Sequence, residues 1–418
     1  MRLDPCYATG GTLRLVTTLG GAPRDILCLS HLRWRFVYQR PNHLMARAAR
    51  DRRVFWIEPP VLSAGAPCLN IEQPEENLFV AVPHLPEDVP VNGGAPYLRG
   101  LLDELFARHA IDRPVLWYYT PLALRFTTHV DPAAVVYDCM DELGAFSQAP
   151  PLVAELEPEL LRRADLVFAG GESLYENKRA HHARCHLFPS SADVGHFRVA
   201  RGPLRDPPDQ ARLGRPRLGY MGVIDERINV ELIARVAEVR PEWQLVLLGP
   251  VAKIDEASLP RRANIAYLGQ KSYEELPAYL AGWDVALMPF AHNRSTRLIS
   301  PTKTLEYLAA GRPVVSTSVR DVVHRYGESG LVRIADSVDG WVGAVEDALV
   351  EDSGRRESLA DAFLTDLSWD RSWAAMASLV RDAVRTREGA SRGRRPGSPV
   401  QGDHFPGSVS LTAGTAEG

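Results

Sequence analysis

The stretch that decides the fold is SPTKTLEYLAAGRPVV, residues 300–315. It predicts a helix that leads directly into a strand. Ser300 is a favourable N-cap, Pro301 suits the first helical position, and Gly311 suits the C-terminal stop. The β-branched run that starts at Pro313 then predicts a short strand. A helix followed at once by a strand is typical of a parallel α/β sheet.

Lys303 is the unusual residue of this stretch, because it places a cation in the first turn of the predicted helix. That placement costs about 0.3–1 kcal/mol unless an anion neutralises it. An anion there would meet free backbone N–H groups and the ammonium together. Glu306 lies on the same helix face, within reach of hydroxyls attached to that anion. The pattern predicts a nucleotide diphosphate site, flanked by Ser300 and Thr302; the alternative is a solvated Lys–Glu pair on an ordinary capped helix.

The composition is that of a globular protein with more than one core. The chain has 418 residues, of which 45% are hydrophobic and 24% charged, and a net charge of -4, which does not favour nucleic acid binding. Its five cysteines are scattered and show no C-x-x-C spacing, so neither a disulfide scaffold nor a zinc site is predicted. No apolar run reaches the roughly 18–20 residues of a membrane span. We expect a cytoplasmic protein. The arginines between 24 and 53 indicate a solvated helix surface or, as the second interpretation, peripheral contact with the inner face of a membrane.

Two series of alternating strands and helices follow one another along the chain. The first series has predicted strands at 25–29, 53–57, 115–119, 134–138 and 165–169, and predicted helices at 41–50, 96–109 and 152–163. The second has predicted strands at 217–221, 244–249, 265–268, 284–289 and 313–316, and predicted helices at 229–237, 273–281, 301–310 and 338–350. The pattern predicts an α/β protein in which two Rossmann-like domains face each other across a cleft.

The predicted domain organisation has six parts. These are a flexible segment at 1–22, an acceptor domain at 23–198, a linker at 199–216, a nucleotide-sugar domain at 217–366, a crossing helix at 367–386 and a disordered tail at 387–418.

Polar loops follow several predicted strands, where ligands of such sheets bind. The loop after 25–29 carries candidate acceptor-binding residues, which are His31, Trp34, Arg35, Arg40 and His43. Arginines and an indole beside a helix N-terminus suit a phosphorylated or sugar-bearing acceptor; the alternative is a loop whose tryptophan only packs.

The loop after 134–138 carries the candidate general base. Asp138, Asp141 and Glu142 cluster at one strand end, and a buried carboxylate can take a proton from a hydroxyl at neutral pH. Asp141 projects furthest and is preferred, whereas Asp138 serves as the second candidate. The alternative for Asp141 is simple helix capping. The spacing is not D-x-D, so no metal and no cofactor are predicted.

Two loops of the second half carry further donor-binding candidates. Gly222 lets the backbone approach a ligand closely, and Arg227 can meet a phosphate. Asn293 and Arg297 precede the Lys303 helix and suit phosphates or sugar hydroxyls.

Taken together these segments resemble GT-B glycosyltransferases, specifically the family 4-type and glucuronosyltransferase-like bacterial enzymes of surface polysaccharide synthesis. The matching segments span most of residues 24–385 and are 34–43, 137–142, 164–174, 189–197, 219–229, 300–315 and 368–373. The resemblance implies that Lys303 meets the diphosphate of a nucleotide sugar, most often a UDP-sugar, and that Glu306 meets its ribose. It also implies that Asp141 is the base and that the last helix crosses back to the first domain.

The chain departs from the family pattern at two points. Many family 4 enzymes have two glutamates separated by seven residues; Glu306 matches the second, but Leu298 occupies the first position. The glycine-rich loop after the first strand is also missing. Both departures favour an inverting over a retaining mechanism.

The predicted function is transfer of a sugar from a nucleotide-diphosphate donor to a glycan or lipid-linked acceptor, inverting and without a metal. One alternative is a non-hydrolysing nucleotide-sugar epimerase on the same fold. Another is a catalytically silent sugar-nucleotide-binding scaffold, which the missing glutamate favours.

Overall fold

The computed structural model describes residues 25–90 and 93–393. The predicted flexible segment 1–22 and residues 394–418 of the predicted tail lie outside these ranges. Two parallel sheets organise the described residues, one formed by strands from 25–187 and one by strands from 217–334.

Nine strands form the first sheet. Their bounds are β1 Asp25–Leu29, β2 Arg53–Ile57, β3 Val61–Ser63, β4 Cys68–Glu75, β5 Leu78–Pro86, β6 Val115–Tyr118, β7 Ala134–Cys139, β8 Leu166–Ala169 and β9 Cys185–Leu187. Their order is β3-β5-β2-β1-β6-β7-β8-β9; β4 pairs antiparallel with β5, and the other pairings are parallel. The central strands β1, β6, β7 and β8 are buried throughout, which explains their continuous apolar sequences.

Six strands form the second sheet. They are β10 Arg217–Met221, β11 Gln244–Leu248, β12 Ile265–Gly269, β13 Val285–Met288, β14 Val314–Ser316 and β15 Arg333–Ile334. All are parallel, in the order β12-β11-β10-β13-β14-β15. Every strand predicted from the sequence is therefore present in one of the two sheets.

Fourteen α-helices cover the sheets in the described residues. Those before β10 are α1 Arg40–Ala48, α2 Ala95–His109, α3 Leu124–Thr127, α4 Pro151–Arg163, α5 Glu172–Arg179, α6 Val194–Arg198 and α7 Pro208–Ala211. Those after it are α8 Val230–Val239, α9 Leu276–Ala281, α10 Lys303–Ala309, α11 Arg320–Val322, α12 Val338–Leu349, α13 Ser353–Leu364 and α14 Trp369–Gly393.

The last helix, α14, crosses back to the first sheet. Its Trp369, Met376 and Val380 are buried in the same apolar core as Trp56 and Trp117 of β2 and β6. Ser368 caps this helix, since its Oγ accepts a hydrogen bond of 3.1 Å from the Arg371 backbone N–H. The helix continues to Gly393, past residue 387 where the disordered tail was predicted to begin.

The strands β3, β4 and β5 were missed by the sequence analysis. The sequence of β4, CLNIEQPE, contains a proline and lacks an alternating pattern, which is atypical of an interior strand. It lies at the outer side of β5 and is half-buried to exposed, so the missing alternation and the proline are tolerated there.

The predicted start of the decisive helix was wrong by two residues. The helix α10 begins at Lys303, with Thr302 at the N-cap position. The carbonyls of Pro301 and Thr302 accept hydrogen bonds from the N–H groups of Thr304 and Leu305, at 3.3 and 3.0 Å. These two carbonyls accept hydrogen bonds from N–H groups at the start of the helix, which is the role that was predicted for a Ser300 cap.

Candidate functional site

The candidate site is a cleft of about 670 Å³ between the carboxyl ends of the two sheets, the edge at which α/β proteins bind ligands. Both domains contribute loops to its lining. The first domain supplies residues after β1 and β7, and the second supplies residues after β10, β11, β12 and β13. A cavity of this size accommodates a nucleotide sugar.

The loop after β1 forms part of the first-domain wall. Trp34, Arg35 and Arg40 line the cleft. Glu58 holds this loop: its Oε1 accepts a hydrogen bond of 2.8 Å from the Trp34 N–H, and its Oε2 pairs with Arg33 at 2.9 Å.

Asp138 lies beneath the cleft in a buried ion pair. The Nε and one terminal nitrogen of Arg40 donate to its Oδ1 at 3.1 and 2.8 Å. Both side chains are almost fully buried, with exposed fractions of 0% for Asp138 and 3% for Arg40. Arg40 also donates to the carbonyl of Phe188 at 2.6 Å. The pair joins β7 to the start of α1, and Asp138 is not among the residues that line the cleft.

Asp141, in contrast, lines the cleft. Burial raises the pKa of its carboxyl, and the nearby cations Arg227 and Lys303 of the second domain offset that effect only in part. A carboxylate with a raised pKa is the environment that a general base requires. The two cations that influence it most come from the opposite domain, so this site exists only when the domains face each other.

Glycines bring the second-domain backbone close together at the floor of the cleft. Gly222 has a φ of +141° and Gly249 a φ of +138°, a region that favours glycine. A Cβ atom on Gly249 would overlap the carbonyl of Gly222, and one on Gly222 would lie 3.0 Å from Cε of Lys303. The absence of a Cβ atom at Gly222 therefore leaves space for the side chain of Lys303.

Lys303 is enclosed by aromatic rings and has an acidic neighbour on the same helix. Its Nζ lies 5.4 Å from the ring centroid of Tyr220 and 5.3 Å from that of Phe290. Burial, followed by repulsion from Arg227, lowers the pKa of Lys303 to about 8. Burial raises the pKa of Glu306. Desolvated charges of this kind are typical of functional sites.

Arg227 is held in place by Asp225. Its Nε donates to Oδ1 of Asp225 at 2.9 Å and a terminal nitrogen donates to Oδ2 at 2.7 Å. Burial alone would lower the pKa of Arg227. The bidentate contact with Asp225 has the larger effect, and the pKa is raised. The guanidinium also lies 5.4 Å from the ring of Phe146, a residue of the first domain.

Most other predicted donor-binding residues line the cleft, but two do not. Ser300 and Thr302 lie at the cleft with Lys303 and Glu306. Asn293 instead stabilises its own loop, since its Oδ1 accepts from the N–H groups of Ser295 and Thr296 at 3.0 and 3.1 Å. Arg297 faces a separate cavity. Both lie in one turn of irregular backbone, whose direction the sequence does not specify.

The predicted acceptor residues His31 and His43 do not line the cleft in this structure. His43 stacks on Trp369 of α14, with ring centroids 4.8 Å apart, and burial lowers its pKa to about 3. Burial also lowers the pKa of His31, to about 4. Burial therefore favours the neutral form of both imidazoles.

The loop after β12 was missed as part of the site. Residues 270–274 line the cleft, and the ring of Tyr273 lies 4.8 Å from that of Tyr38 in the first domain. The rule that ligands bind at strand ends applies equally to the predicted strand at 265–268, so this signal was available in the sequence.

Several early arginines are ion-paired, including Arg47 and Arg50 with Asp370 and Arg53 with Asp25. No helix in the described ranges combines the length and apolar character of a membrane span. Among those same residues, no group of three His, Cys, Asp or Glu side chains is placed to hold a metal ion.

Cys28, Cys139 and Cys185 are buried free thiols, whereas Cys68 is disulfide-bonded, which the cysteine spacing did not predict.

Comparison with known proteins finds similarity to glycosyltransferases over part of the chain. Residues 215–351 match the family Glycosyl transferases group 1. Over 242 residues the chain is 28% identical to TuaH of Bacillus subtilis, a protein named as a teichuronic acid biosynthesis glycosyltransferase; the match covers 53% of this chain and 60% of TuaH. The chain therefore spans about three fifths of the length of that relative.

Two solved structures share the fold. The UDP-forming α,α-trehalose-phosphate synthase of Burkholderia xenovorans superposes with a TM-score of 0.64 at 12% identity, covering 87% of this chain and 99% of the synthase. HepE of Anabaena, solved in complex with UDP and glucose, gives a TM-score of 0.56 at 16% identity, covering 88% and 99%. These similarities confirm the predicted two-domain GT-B architecture.

Proposed function

We propose, starting from a GT-B fold in which residues 215–351 form a group 1 glycosyltransferase domain, that this protein transfers a sugar from a UDP-sugar to a hydroxyl of a glycan or lipid-linked acceptor. The observation that carries the proposal is that an acidic side chain lines the cleft on the first-domain side and two basic side chains line it on the second-domain side. The half-buried Asp141 carboxylate of the first domain lines the same cleft as the Lys303 and Arg227 cations of the second.

The donor fits the second-domain side of the cleft. Lys303 and Arg227 supply two positive charges to a diphosphate, and the tight backbone at Gly222 leaves room beside the ammonium. Glu306 lies one helical turn beyond Lys303 and lines the same cavity, which suits the hydroxyls of a ribose.

The proposed reaction uses these groups as follows. Asp141 accepts the proton of the acceptor hydroxyl while the hydroxyl oxygen attacks the anomeric carbon of the donor. The bond from that carbon to the β-phosphate oxygen breaks, and Lys303 and Arg227 neutralise the charge that develops on the departing UDP. Attack opposite the leaving group inverts the anomeric centre, and no step requires a metal.

The names of similar proteins support the choice of donor and acceptor class. HepE was solved with UDP and glucose, and the Burkholderia synthase is UDP-forming. TuaH is named for the biosynthesis of teichuronic acid. These names favour UDP over other nucleotides and a surface glycan as the acceptor.

The proposal is tested by measuring the affinity of UDP-, GDP- and dTDP-sugars for wild-type protein and for Lys303→Met by calorimetry. Methionine keeps the approximate volume of the side chain and removes its charge. We expect a UDP-sugar to bind wild type and to lose about 10–100-fold of its affinity in Lys303→Met, the value of a charge-assisted contact to phosphate. Lys303→Arg, which keeps the charge, serves as the control and should bind more tightly than Lys303→Met.

Turnover separates the proposed activity from its alternatives. Release of UDP that depends on an added glycan acceptor and persists in EDTA supports a metal-independent transferase. A changed nucleotide sugar without any acceptor would identify an epimerase instead, and tight binding without turnover would identify a silent binding protein. Equal binding of all nucleotides to wild type and Lys303→Met would exclude the donor site proposed for α10.

A further inference from the structure

A second cavity lies behind the cleft and is lined by both domains. Its volume is about 550 Å³, which is close to that of the cleft itself. The first domain contributes residues of α4 and α5 with Glu142, and the second contributes the segment that leads from β13 to α10.

Only two chain segments separate this cavity from the cleft. Met140 and Asp141 line the cleft, whereas the next residue, Glu142, lines the second cavity. In the opposite domain Ile299 and Ser300 line the cleft, whereas Arg297 and Leu298 line the second cavity. Glu142 of the second cavity therefore directly follows the proposed base in the chain.

One wall of the cavity carries unpaired positive charge. Arg294 and Arg297 are exposed and line the cavity, and neither forms a hydrogen bond or ion pair with any residue that the structure describes. Arg162, by comparison, is paired with Glu159. Two guanidinium groups without counter-ions on one concave wall are suited to a carboxylate or phosphate.

The opposite wall has its charges compensated. Lys178, with a side chain only 3% exposed, lies 2.9 Å from Glu142 and 2.8 Å from Glu157. Burial alone would lower the pKa of Lys178, but the neighbouring Cys139 and the two carboxylates raise it, so the ammonium stays charged. This wall offers carboxylate oxygens, which accept hydrogen bonds from sugar hydroxyls.

We propose that the second cavity binds an acidic sugar of the acceptor, with Arg294 and Arg297 on its anionic group and Glu142 on its hydroxyls. This inference rests on the proposed transferase function. The anionic group is either the carboxylate of a uronic acid in a glycan or the phosphate of a lipid-linked sugar, since guanidinium groups recognise both. Leu298, which lines this cavity beside Arg297, packs on the first-domain core.

The test compares wild type with the double variant Arg294→Ala/Arg297→Ala. Three probes are used in calorimetry: an oligosaccharide of glucuronate and N-acetylglucosamine, N-acetylglucosamine 1-phosphate, and a neutral chitin oligosaccharide. We expect at least one acidic probe to bind wild type and to lose about tenfold or more of its affinity in the variant. The acidic probe that binds identifies the source of the anion. The neutral probe should show no difference between the two proteins.

The control variant Arg235→Ala/Arg381→Ala removes the same charge from exposed positions on α8 and α14, and should bind the acidic probe like wild type. UDP affinity is measured alongside to separate this inference from the transferase proposal. Equal binding of the acidic probes to all proteins, or no binding to wild type, would overturn the inference while leaving the donor site intact. Loss of UDP affinity in Arg294→Ala/Arg297→Ala would also overturn it, because Arg297 would then belong to the donor.

Discussion

At the scale of single residues, Asp138 and Asp141 show that burial can place one aspartate in a structural ion pair and leave a nearby aspartate at the cleft. Asp138 is fully buried, its charge is matched by Arg40, and it does not line the cleft. Asp141 lies at the cleft, and its opposite charges come from the second domain. The same residue type, three positions apart, thus holds the loop in one case and faces the substrate cavity in the other.

We expect Asp141→Asn to lower kcat by about 10²–10⁴-fold, because the acceptor hydroxyl loses its proton acceptor. A base must be deprotonated to act, so wild-type activity should rise with pH through the pKa of Asp141. Since burial raises that pKa, this rise should lie above the ordinary aspartate value of about 3.9. Steady-state kinetics across pH measures both effects. A variant that retains the wild-type kcat and pH profile would show that another group is the base.

Asp138→Asn is the contrasting variant. It leaves Arg40 buried without its full counter-charge, which costs about 3–5 kcal/mol of unfolding free energy. Its effect should appear in the thermal midpoint, whereas Asp141→Asn should leave that midpoint nearly unchanged.

At the scale of elements, the central strand of the second sheet depends on a glycine. Gly219 lies in β10, between β11 and β13, and a Cβ atom there would overlap the indole of Trp283. Trp283 is fully buried and its Nε1 donates to Gln210 at 2.9 Å. The strand that ends at the Gly222 loop is therefore positioned by this packing.

We expect Gly219→Ala to lower the unfolding free energy by about 3 kcal/mol or more, because neither the strand nor the indole has room to move. Gly343→Ala is the matched control: it lies inside α12 with no atom near the added methyl group. There alanine should stabilise the helix by about 0.5–1 kcal/mol. Chemical denaturation of both variants checks the prediction, and equal stability of the two would contradict it.

At the scale of the whole molecule, the site depends on contacts that hold the two domains together. Phe146 of the first domain lies between Arg227 and Lys253, with ring distances of 5.4 and 4.9 Å. On the other side of the interface, the buried Asp321 accepts hydrogen bonds from the N–H and Oγ of Ser173, at 3.1 and 2.5 Å. Both contacts favour the arrangement in which Asp141 faces the donor cations.

We expect Asp321→Ala to loosen this arrangement, since the start of α5 loses an acceptor whose hydrogen bonds stabilise by about 1–3 kcal/mol. The radius of gyration from small-angle scattering should increase while the circular dichroism spectrum stays unchanged. Asp336→Ala serves as the control, because Asp336 accepts similar bonds from Ser318 within one domain. An unchanged radius in both variants would contradict a role for Asp321 in domain closure.

Much of the fold could be predicted because strand and helix signals are local. The buried strands at 25–29 and 217–221 were placed at both ends from their apolar runs, and the crossing helix predicted at 367–386 was placed within two residues of its start at Trp369. The loop after β12 could have been included by the same rule. The half-exposed β4 could not be predicted, because it pairs with β5 although its sequence does not alternate between apolar and polar residues.

The sequence by itself determined that two α/β sheets meet at a cleft and that Asp141, Gly222 and Arg227 follow strands at its edge. It also placed Lys303 and Glu306 on a helix that leads into a strand. Only the tertiary structure decided which polar side chains reach that cleft. It assigned Asp138 to a buried pair with Arg40, His43 to a stack on Trp369, and Arg297 to a second cavity. The physical reason is range: strand and helix patterns arise from neighbours along the chain. The direction and partners of a loop side chain depend on distant residues, such as Arg40, which lies 98 positions from Asp138.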